Sequence, residues 1–112
     1  MLQPFSPKLM ALSPSVPDEL LESFGVERAP DLDTLFSEND IIVELAAMTE
    51  RNRGMVKERH LRMIPKTGAF VNVGRAGVVD EEGLIKVAKE GELQIGLDVY
   101  HKEPLPADSP LK

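Results

Sequence analysis

The sequence predicts an α/β fold in which a parallel sheet carries helices on both faces. Short apolar runs alternate with amphipathic runs along all 112 residues, and Gly or Pro separates most of them. Such alternation is typical of parallel strands joined by crossover helices. The central apolar run, Ala69–Val73, is followed by a Gly-flanked arginine and then by an acidic helix start at Asp80. In open α/β sheets, ligands bind just beyond the carboxyl ends of strands such as this one.

The first half of the chain contains three predicted strands and two predicted helices. The strands are Lys8–Leu12, Val26–Ala29 and Ile41–Leu45. The first helix follows Pro17, which suits a first helical turn, and it ends at Gly25. Its apolar face is predicted to consist of Leu20, Leu21 and Phe24. The second helix is capped by Asp31 or Asp33, and its inward side chains are predicted to be Leu32, Leu35 and Phe36. Apart from Glu44, the third strand is too continuously apolar for an exposed edge.

The second half continues the alternation. A loop over Ala46–Arg53 leads into a helix from about Val56 to Met63, and the central strand follows. Asp80 opens the next helix and Gly91 ends it, and its apolar positions recur at helical spacing: Leu84, Ile85, Val87 and Ala88. The last predicted strand is Gln94–Val99, and the tail His101–Lys112 is predicted to be extended coil.

Composition excludes several classes of function. A net charge of −6 argues against nucleic acid or an acidic membrane as the main partner. The absence of cysteine excludes disulfides and thiolate chemistry, and two histidines far apart in sequence disfavour a metal site. No apolar run approaches the ~20 residues of a membrane span, and the N-terminus lacks the pattern of a signal peptide. We therefore expect a cytoplasmic protein.

Three charged residues fall at the ends of predicted central strands: Arg75, Asp98 and, shortly after, Glu103. Because parallel strands end at one edge of a sheet, these side chains can converge there. An arginine at that edge can bind a carboxylate through two parallel hydrogen bonds. Asp98, at an apolar strand end, is expected to need a partner. Simpler interpretations remain open: Arg75 as a surface arginine, Asp98 as a loop cap or the partner of a lysine, and Glu103 as a solvated loop residue.

Two blocks of sequence make the arrangement recognisable. Residues 72–81 read Asn-Val-Gly-Arg-Ala-Gly-Val-Val-Asp-Glu, and residues 96–104 read Gly-Leu-Asp-Val-Tyr-His-Lys-Glu-Pro. Together with Asp40–Val43, Thr49 and Arg53–Val56, they resemble the NAD-binding domain of the D-isomer-specific 2-hydroxyacid dehydrogenases, a family with a Rossmann-type fold. The resemblance covers essentially the whole chain. It implies NAD(P)-dependent hydride transfer between the cofactor and the 2-carbon of a 2-keto or 2-hydroxy acid.

The resemblance also assigns roles to single residues. Arg75 matches the arginine that binds the substrate carboxylate and polarises the keto oxygen, and Glu103 matches the glutamate that pairs with the catalytic histidine. Asp98 matches the aspartate that contacts the nicotinamide carboxamide. The remaining matches to cofactor-binding positions are Val73 and Gly74 at the nicotinamide end, Ala46, Ala47 and Asn52 along the ribose and phosphates, and Ser13 at the adenosine ribose.

Several departures from the family pattern qualify these assignments. The Gly-rich loop with its preceding strand, the catalytic histidine and the substrate-binding domain are missing, which makes residues 1–112 a partial NAD(P)-binding domain. His101 is not at the histidine's place in the pattern, and His60 is expected to be a solvated surface residue. Ser13 replaces the usual acidic residue, so NAD is expected while NADP stays open. Ala47 replaces a common proline, and Ala76 replaces a glycine, which would strain a backbone with positive φ.

Three hypotheses follow from the sequence. The first is a fragment of a D-2-hydroxyacid dehydrogenase that acts as a homodimer and is inactive alone, since it lacks the acid and the phosphate loop. The second is a non-catalytic dinucleotide-sensing or dimerisation module on the same scaffold. The third is a Rossmann-like domain without a ligand.

Overall fold

A computed structural model of the chain describes residues 8–13, 16–46, 49–99 and 108. Its strands and helices alternate, as the sequence predicts. The strands are β1 (Leu9–Ala11), β2 (Val26–Arg28), β3 (Ile41–Glu44), β4 (Ala69–Asn72) and β5 (Gln94–Leu97). The helices are α1 (Asp18–Ser23), α2 (Leu32–Ser37), α3 (Glu58–Met63) and α4 (Glu81–Glu90), with a short 3-10 helix at Ala76–Val78. The tail from residue 101, apart from Asp108, lies outside the described residues.

The described strands form two parallel sheets. One pairs β1 with β2, and the other has the order β3-β4-β5. The parallel arrangement is confirmed in every pair. The registers align the last residues of the three strands in the larger sheet, because Glu44 pairs with Asn72 and Asn72 pairs with Leu97. Whatever follows these strands therefore leaves the sheet at one edge.

Local sequence explains most helix boundaries. Asp31 caps α2 by accepting a hydrogen bond from the Thr34 N–H at 2.7 Å, and this decides between the two predicted caps. Asp80 caps α4 through the Gly83 N–H at 3.1 Å. Gly91 ends α4 with φ of 70°, a conformation that favours glycine. The predicted start of α3 is too early, since Val56 instead forms a parallel bridge with Val79.

The hydrophobic core lies on one face of the three-stranded sheet. Its buried side chains come from β3, β4, the helices α2, α3 and α4 and the segments that contain Val56, Ile64 and Val78–Val79. The largest are Phe36, Phe70 and Leu61. On the opposite face of β3, Ile41 is 64% exposed and Val43 is 51% exposed. The prediction that this strand is buried apart from Glu44 is therefore wrong. Its residues alternate between the two faces of the sheet, so Ile42 and Glu44 are buried while Ile41 and Val43 are exposed.

Helix α1 also differs from its predicted pattern. Only Leu21 of its apolar residues is buried, while Leu20 and Phe24 are 48% and 58% exposed. In contrast, the inward prediction for α2 is confirmed, because Phe36 is buried and Leu32 and Leu35 pack against the core. Among the described residues, no helix has the length and apolar character needed to cross a bilayer.

Candidate functional site

The carboxyl edge of the three-stranded sheet brings together residues from three loops. Ala46 follows β3, Val73–Arg75 follow β4, and Asp98 follows β5. The backbone N–H of Asp98 donates to the Asn72 carbonyl at 3.0 Å, and the N–H of Val73 donates to the Glu44 carbonyl at 3.2 Å. These bonds continue the strand pairing one residue beyond the sheet. The predicted placement of these loops on a common edge agrees with this geometry.

Arg75 is exposed, and its backbone is tightly held. Its N–H donates to Oε2 of Glu44 at 3.3 Å, and its carbonyl accepts from Nδ2 of Asn72, also at 3.3 Å. The Nη1 donates to the carbonyl of Gly74 at 3.0 Å. Within the described part of the chain, the guanidinium forms no ion pair with a carboxylate. Among the described residues, the charge of Arg75 is therefore not neutralised by a carboxylate.

Asp98 does not pair with Arg75. Asp98 is exposed, so its carboxylate is not desolvated, and the expectation that it needs a partner is wrong. The reason is that β5 ends at Leu97, one residue before Asp98, instead of at Val99. Two other predicted site residues, Glu103 and Ala47, lie outside the described residues, as does His101.

The residue after the arginine carries no strain. Ala76 begins the 3-10 helix, whose right-handed backbone has negative φ and admits any L-residue. The expected penalty for alanine in place of glycine therefore does not arise. Gly74 has the tighter environment of the two, since an added Cβ would lie 2.7 Å from Oε2 of Glu44.

Asn52 organises the loop after β3. Its Oδ1 accepts the Thr49 N–H at 2.6 Å, and its carbonyl accepts the Met55 N–H at 3.1 Å. Two further bonds join this loop to the turn after Arg75: Gly54 N–H to Gly77 carbonyl at 2.7 Å, and Val56 N–H to Val78 carbonyl at 3.0 Å. The loop with the predicted cofactor residue Asn52 and the loop with the predicted substrate arginine are thus one hydrogen-bonded unit.

Ser13 lies two residues beyond β1, at the carboxyl edge of the other sheet. Its carbonyl accepts a hydrogen bond from Nη1 of Arg28 at 2.7 Å, and Nε of the same arginine contacts Oδ1 of Asp18 at 2.6 Å. Arg28 also donates to the carbonyl of Val16. Its hydrogen-bonding nitrogens are therefore occupied in shaping the turn after β1.

Sequence reasoning missed Glu44 and Asn72 as parts of this edge. Both are buried, with exposures of 8% and 1%. Asn72 accepts the Gly74 N–H through Oδ1 at 3.1 Å and donates to the Arg75 carbonyl. A signal was available for Glu44, because a carboxylate within an apolar strand requires hydrogen-bond partners.

His60 is buried, with 3% exposure, so its prediction as a solvated surface residue is wrong. Its ring packs against that of Phe36 in α2, with 5.6 Å between the ring centroids. The described residues contain no group of three or more potential metal ligands.

Comparison with known proteins decides the family. The profile described as D-isomer specific 2-hydroxyacid dehydrogenase, NAD binding domain, matches residues 1–112. The chain belongs to this family. As a 2-hydroxyacid dehydrogenase domain, it is similar to glyoxylate/hydroxypyruvate reductase B of Cronobacter sakazakii, with 42% identity over 82 residues, 72% of the chain. It is 32% identical over 108 residues, 96% of the chain, to D-3-phosphoglycerate dehydrogenase of Methanocaldococcus jannaschii.

A solved structure from the family has the same fold. The D-isomer specific 2-hydroxyacid dehydrogenase of Xanthobacter autotrophicus Py2, in complex with NADPH and MES, superposes with a TM-score of 0.72 at 31% identity. The match covers 91% of this chain and 41% of that one. The Rossmann-type prediction is confirmed. The chain spans 25% of the Cronobacter enzyme and 20% of the Methanocaldococcus enzyme, so it matches one domain of these dehydrogenases.

Proposed function

We propose that the chain forms the nicotinamide-side part of a site for hydride transfer between a dinucleotide cofactor and a D-2-hydroxy acid or its 2-keto counterpart. The observation that carries this proposal is Arg75: an exposed guanidinium at the carboxyl edge, without an ion pair among the described residues and with its backbone held at both N–H and carbonyl. Its role is to bind the substrate carboxylate through two hydrogen bonds and to polarise the keto oxygen.

The residues of the edge fit a nicotinamide. Val73 is 44% exposed and offers apolar contact to a ring, and Ala46 is a small, exposed residue on the neighbouring loop of the same edge. Asp98 is an exposed acceptor suited to a carboxamide N–H. In family members the cofactor supplies the hydride. In this chain, Val73, Gly74 and Asp98 would hold the ring, and Ala46, Ala47, Asn52 and Ser13 would lie along the rest of the dinucleotide.

Proton transfer is proposed for a histidine oriented by Glu103, as the family pattern implies. A carboxylate beside an imidazole favours the protonated ring, which can then donate to the keto oxygen. The cofactor is proposed to be NAD, with NADP as the alternative because Ser13 is not acidic. The NADPH of the Xanthobacter structure supports keeping that alternative.

The cellular compartment and the binding partners of the chain are proposed from its composition and its family. We propose a cytoplasmic homodimer that binds neither nucleic acid nor membrane. The net charge of −6 supports the last part of this statement, since it disfavours polyanionic partners.

Binding to the chain itself tests the function. Amide NMR spectra of the isotope-labelled chain are recorded during titration with NADH, with NADPH and then with oxamate, an analogue of a 2-keto acid. We expect oxamate to shift the signals of Arg75, and Arg75→Gln to remove that response while the cofactor response remains. The matched control is Arg53→Gln, because Arg53 is an exposed arginine paired with Glu50 at 3.3 Å.

Two results would contradict the proposal. Equal losses of the oxamate and cofactor responses in Arg75→Gln would show that Arg75 is not a substrate group. A cofactor response without any oxamate response would favour the non-catalytic dinucleotide-sensing module. In the same preparation we expect no useful NADH oxidation with glyoxylate, hydroxypyruvate or pyruvate, and robust turnover would contradict the prediction that the chain is inactive alone.

A further inference from the structure

We propose that Glu44 is the positioning residue of Arg75, and that its carboxylate also fixes the loop after β3, so that one buried side chain sets both the substrate arginine and a cofactor loop. This inference rests on the function proposed above for Arg75. It concerns a residue that ends β3, one strand away from the arginine along the carboxyl edge.

Both oxygens of the Glu44 carboxylate accept backbone hydrogen bonds. Oε1 accepts the N–H of Ala46 at 2.6 Å, and Oε2 accepts the N–H of Arg75 at 3.3 Å. The two donors belong to different loops and are separated by 29 residues, counting from 46 to 75. The carboxylate is therefore a bridge between the loop that leaves β3 and the turn that leaves β4.

Burial makes this bridge strong. Glu44 is 8% exposed, and within the described part of the chain no lysine, arginine or histidine forms an ion pair with it. A buried carboxylate is tolerated only when its oxygens are hydrogen-bonded, so the two amides are its required partners. Hydrogen bonds to an ionised acceptor are stronger than those between neutral groups. The position of the Arg75 peptide is thus tied to a charge inside the protein.

The opposite side of the Arg75 backbone is held as well. Its carbonyl accepts from Nδ2 of Asn72 and from the N–H of Val78, each at 3.3 Å. Gly74 lets the turn approach the carboxylate, because any Cβ there would meet Oε2 of Glu44 at 2.7 Å. With both of its peptide groups restrained, the side chain of Arg75 pivots from a fixed point, which is the condition for bidentate carboxylate binding.

Only a glutamate satisfies both donors. A glutamine offers one carbonyl oxygen, and its NH2 group would face an N–H donor where Oε1 or Oε2 now accepts. An aspartate keeps two acceptors but is one methylene shorter. Glu44→Gln therefore removes one bond while preserving size, and Glu44→Asp preserves the charge while changing the reach.

A measurement on the unaltered chain tests the bridge directly. The amide proton shifts of Ala46 and Arg75 are followed by NMR as the pH is lowered. If both N–H groups donate to one carboxylate, the two signals move upfield together and share one midpoint. Glu44→Gln is expected to abolish this common transition, which would exclude Asp98 as the group that causes it. Independent midpoints, or a transition that persists in Glu44→Gln, would overturn the inference. Independent midpoints overturn the inference without any variant, and where Glu44→Gln does not fold, a common transition that disappears in Asp98→Asn would overturn it as well.

The positioning role is tested by binding. In Glu44→Gln we expect the affinity for oxamate to fall by about tenfold, the change that corresponds to 1.4 kcal/mol, with a smaller loss for NADH. Glu44→Asp should recover part of the oxamate affinity. The matched control is Glu50→Gln, since Glu50 is exposed and pairs only with an exposed arginine in the described structure. Unchanged oxamate binding in Glu44→Gln would overturn the role. If the unaltered chain gives no oxamate response, the proposed function fails, and the shared pH midpoint still decides whether Glu44 holds Arg75.

Discussion

Nε2 of His60 lies 3.2 Å from Oδ1 of Asp33, so that a buried ring on α3 meets an exposed carboxylate on α2. On its other side, Nδ1 of the ring accepts the backbone N–H of Lys57 at 2.9 Å. A neutral imidazole with its proton on Nε2 satisfies both contacts. A second proton on Nδ1 would face the Lys57 N–H and break the bond at the start of α3.

This geometry predicts that stability depends on the protonation of His60. Burial lowers the pKa of His60, Arg59 lowers it further, and Asp33 opposes them. Because the folded pKa lies below the unfolded value of about 6.5, the unfolded chain binds more protons at a pH between the two. The stabilisation is complete above about pH 6.5 and is lost as the pH falls through the folded pKa.

Urea unfolding followed by circular dichroism at several pH values checks this prediction. We expect the free energy of unfolding to decrease from about pH 7.5 to about pH 5.5 in the unaltered chain, and to decrease less in His60→Gln. Equal slopes in the two proteins would mean that another group causes the dependence.

Gly74→Ala is expected to lower the free energy of unfolding by about 1–3 kcal/mol, as overpacking does in a dense interior. The added methyl would lie 2.7 Å from Oε2 of Glu44 and 3.0 Å from the carbonyl carbon of Leu45. The matched control is Gly96→Ala, whose Cβ would meet nothing nearer than 3.7 Å. Chemical unfolding of both variants is the measurement. A loss in Gly96→Ala as large as in Gly74→Ala would argue against the close approach at Glu44.

Arg28→Lys is expected to lower the free energy of unfolding by about 1–2 kcal/mol. The Arg28 guanidinium bonds Asp18, Ser13 and Val16 at once, and a lysine ammonium cannot replace all three contacts. Faster hydrogen exchange at the Val16 N–H, which bonds the Ser13 carbonyl at 3.3 Å, should accompany the loss. Lys8→Met serves as the control, because Lys8 forms an exposed pair with Glu27 at 3.8 Å. If both variants were equally stable, Arg28 would not be holding the turn.

Asp80→Ala is expected to destabilise α4 by about 1 kcal/mol, the typical effect of losing an N-cap oxygen. Asp80→Asn should retain most of the stability, because its carbonyl oxygen can still accept the Gly83 N–H that lies 3.1 Å away. The measurement is the unfolding temperature of each variant, compared with that of the unaltered chain. Equal stability of Asp80→Asn and Asp80→Ala would mean that the Asp80 side chain does not stabilise α4 as a cap.

Local sequence patterns were enough for the alternation of strands and helices, the cap at Asp80 and the family, whereas the structure chose Asp31 over Asp33 as the cap of α2. Each of these depends on residues close together in the chain: the spacing of apolar side chains, an acceptor three residues before a helix N–H, or the short sequence motif around Arg75. The parallel pairing also followed, because consecutive crossovers leave few alternatives.

Only the tertiary structure decided which charged and polar groups are buried and what they hold. His60 is buried because α2 and β4 bring Phe36 and Phe70 to its side of the sheet, and Glu44 bonds Arg75 because β3 and β4 are paired in register. Ile41 and Val43, apolar as they are, stay exposed on the other face. Periodicity gives the face on which a side chain lies, whereas burial depends on which distant segment packs against that face.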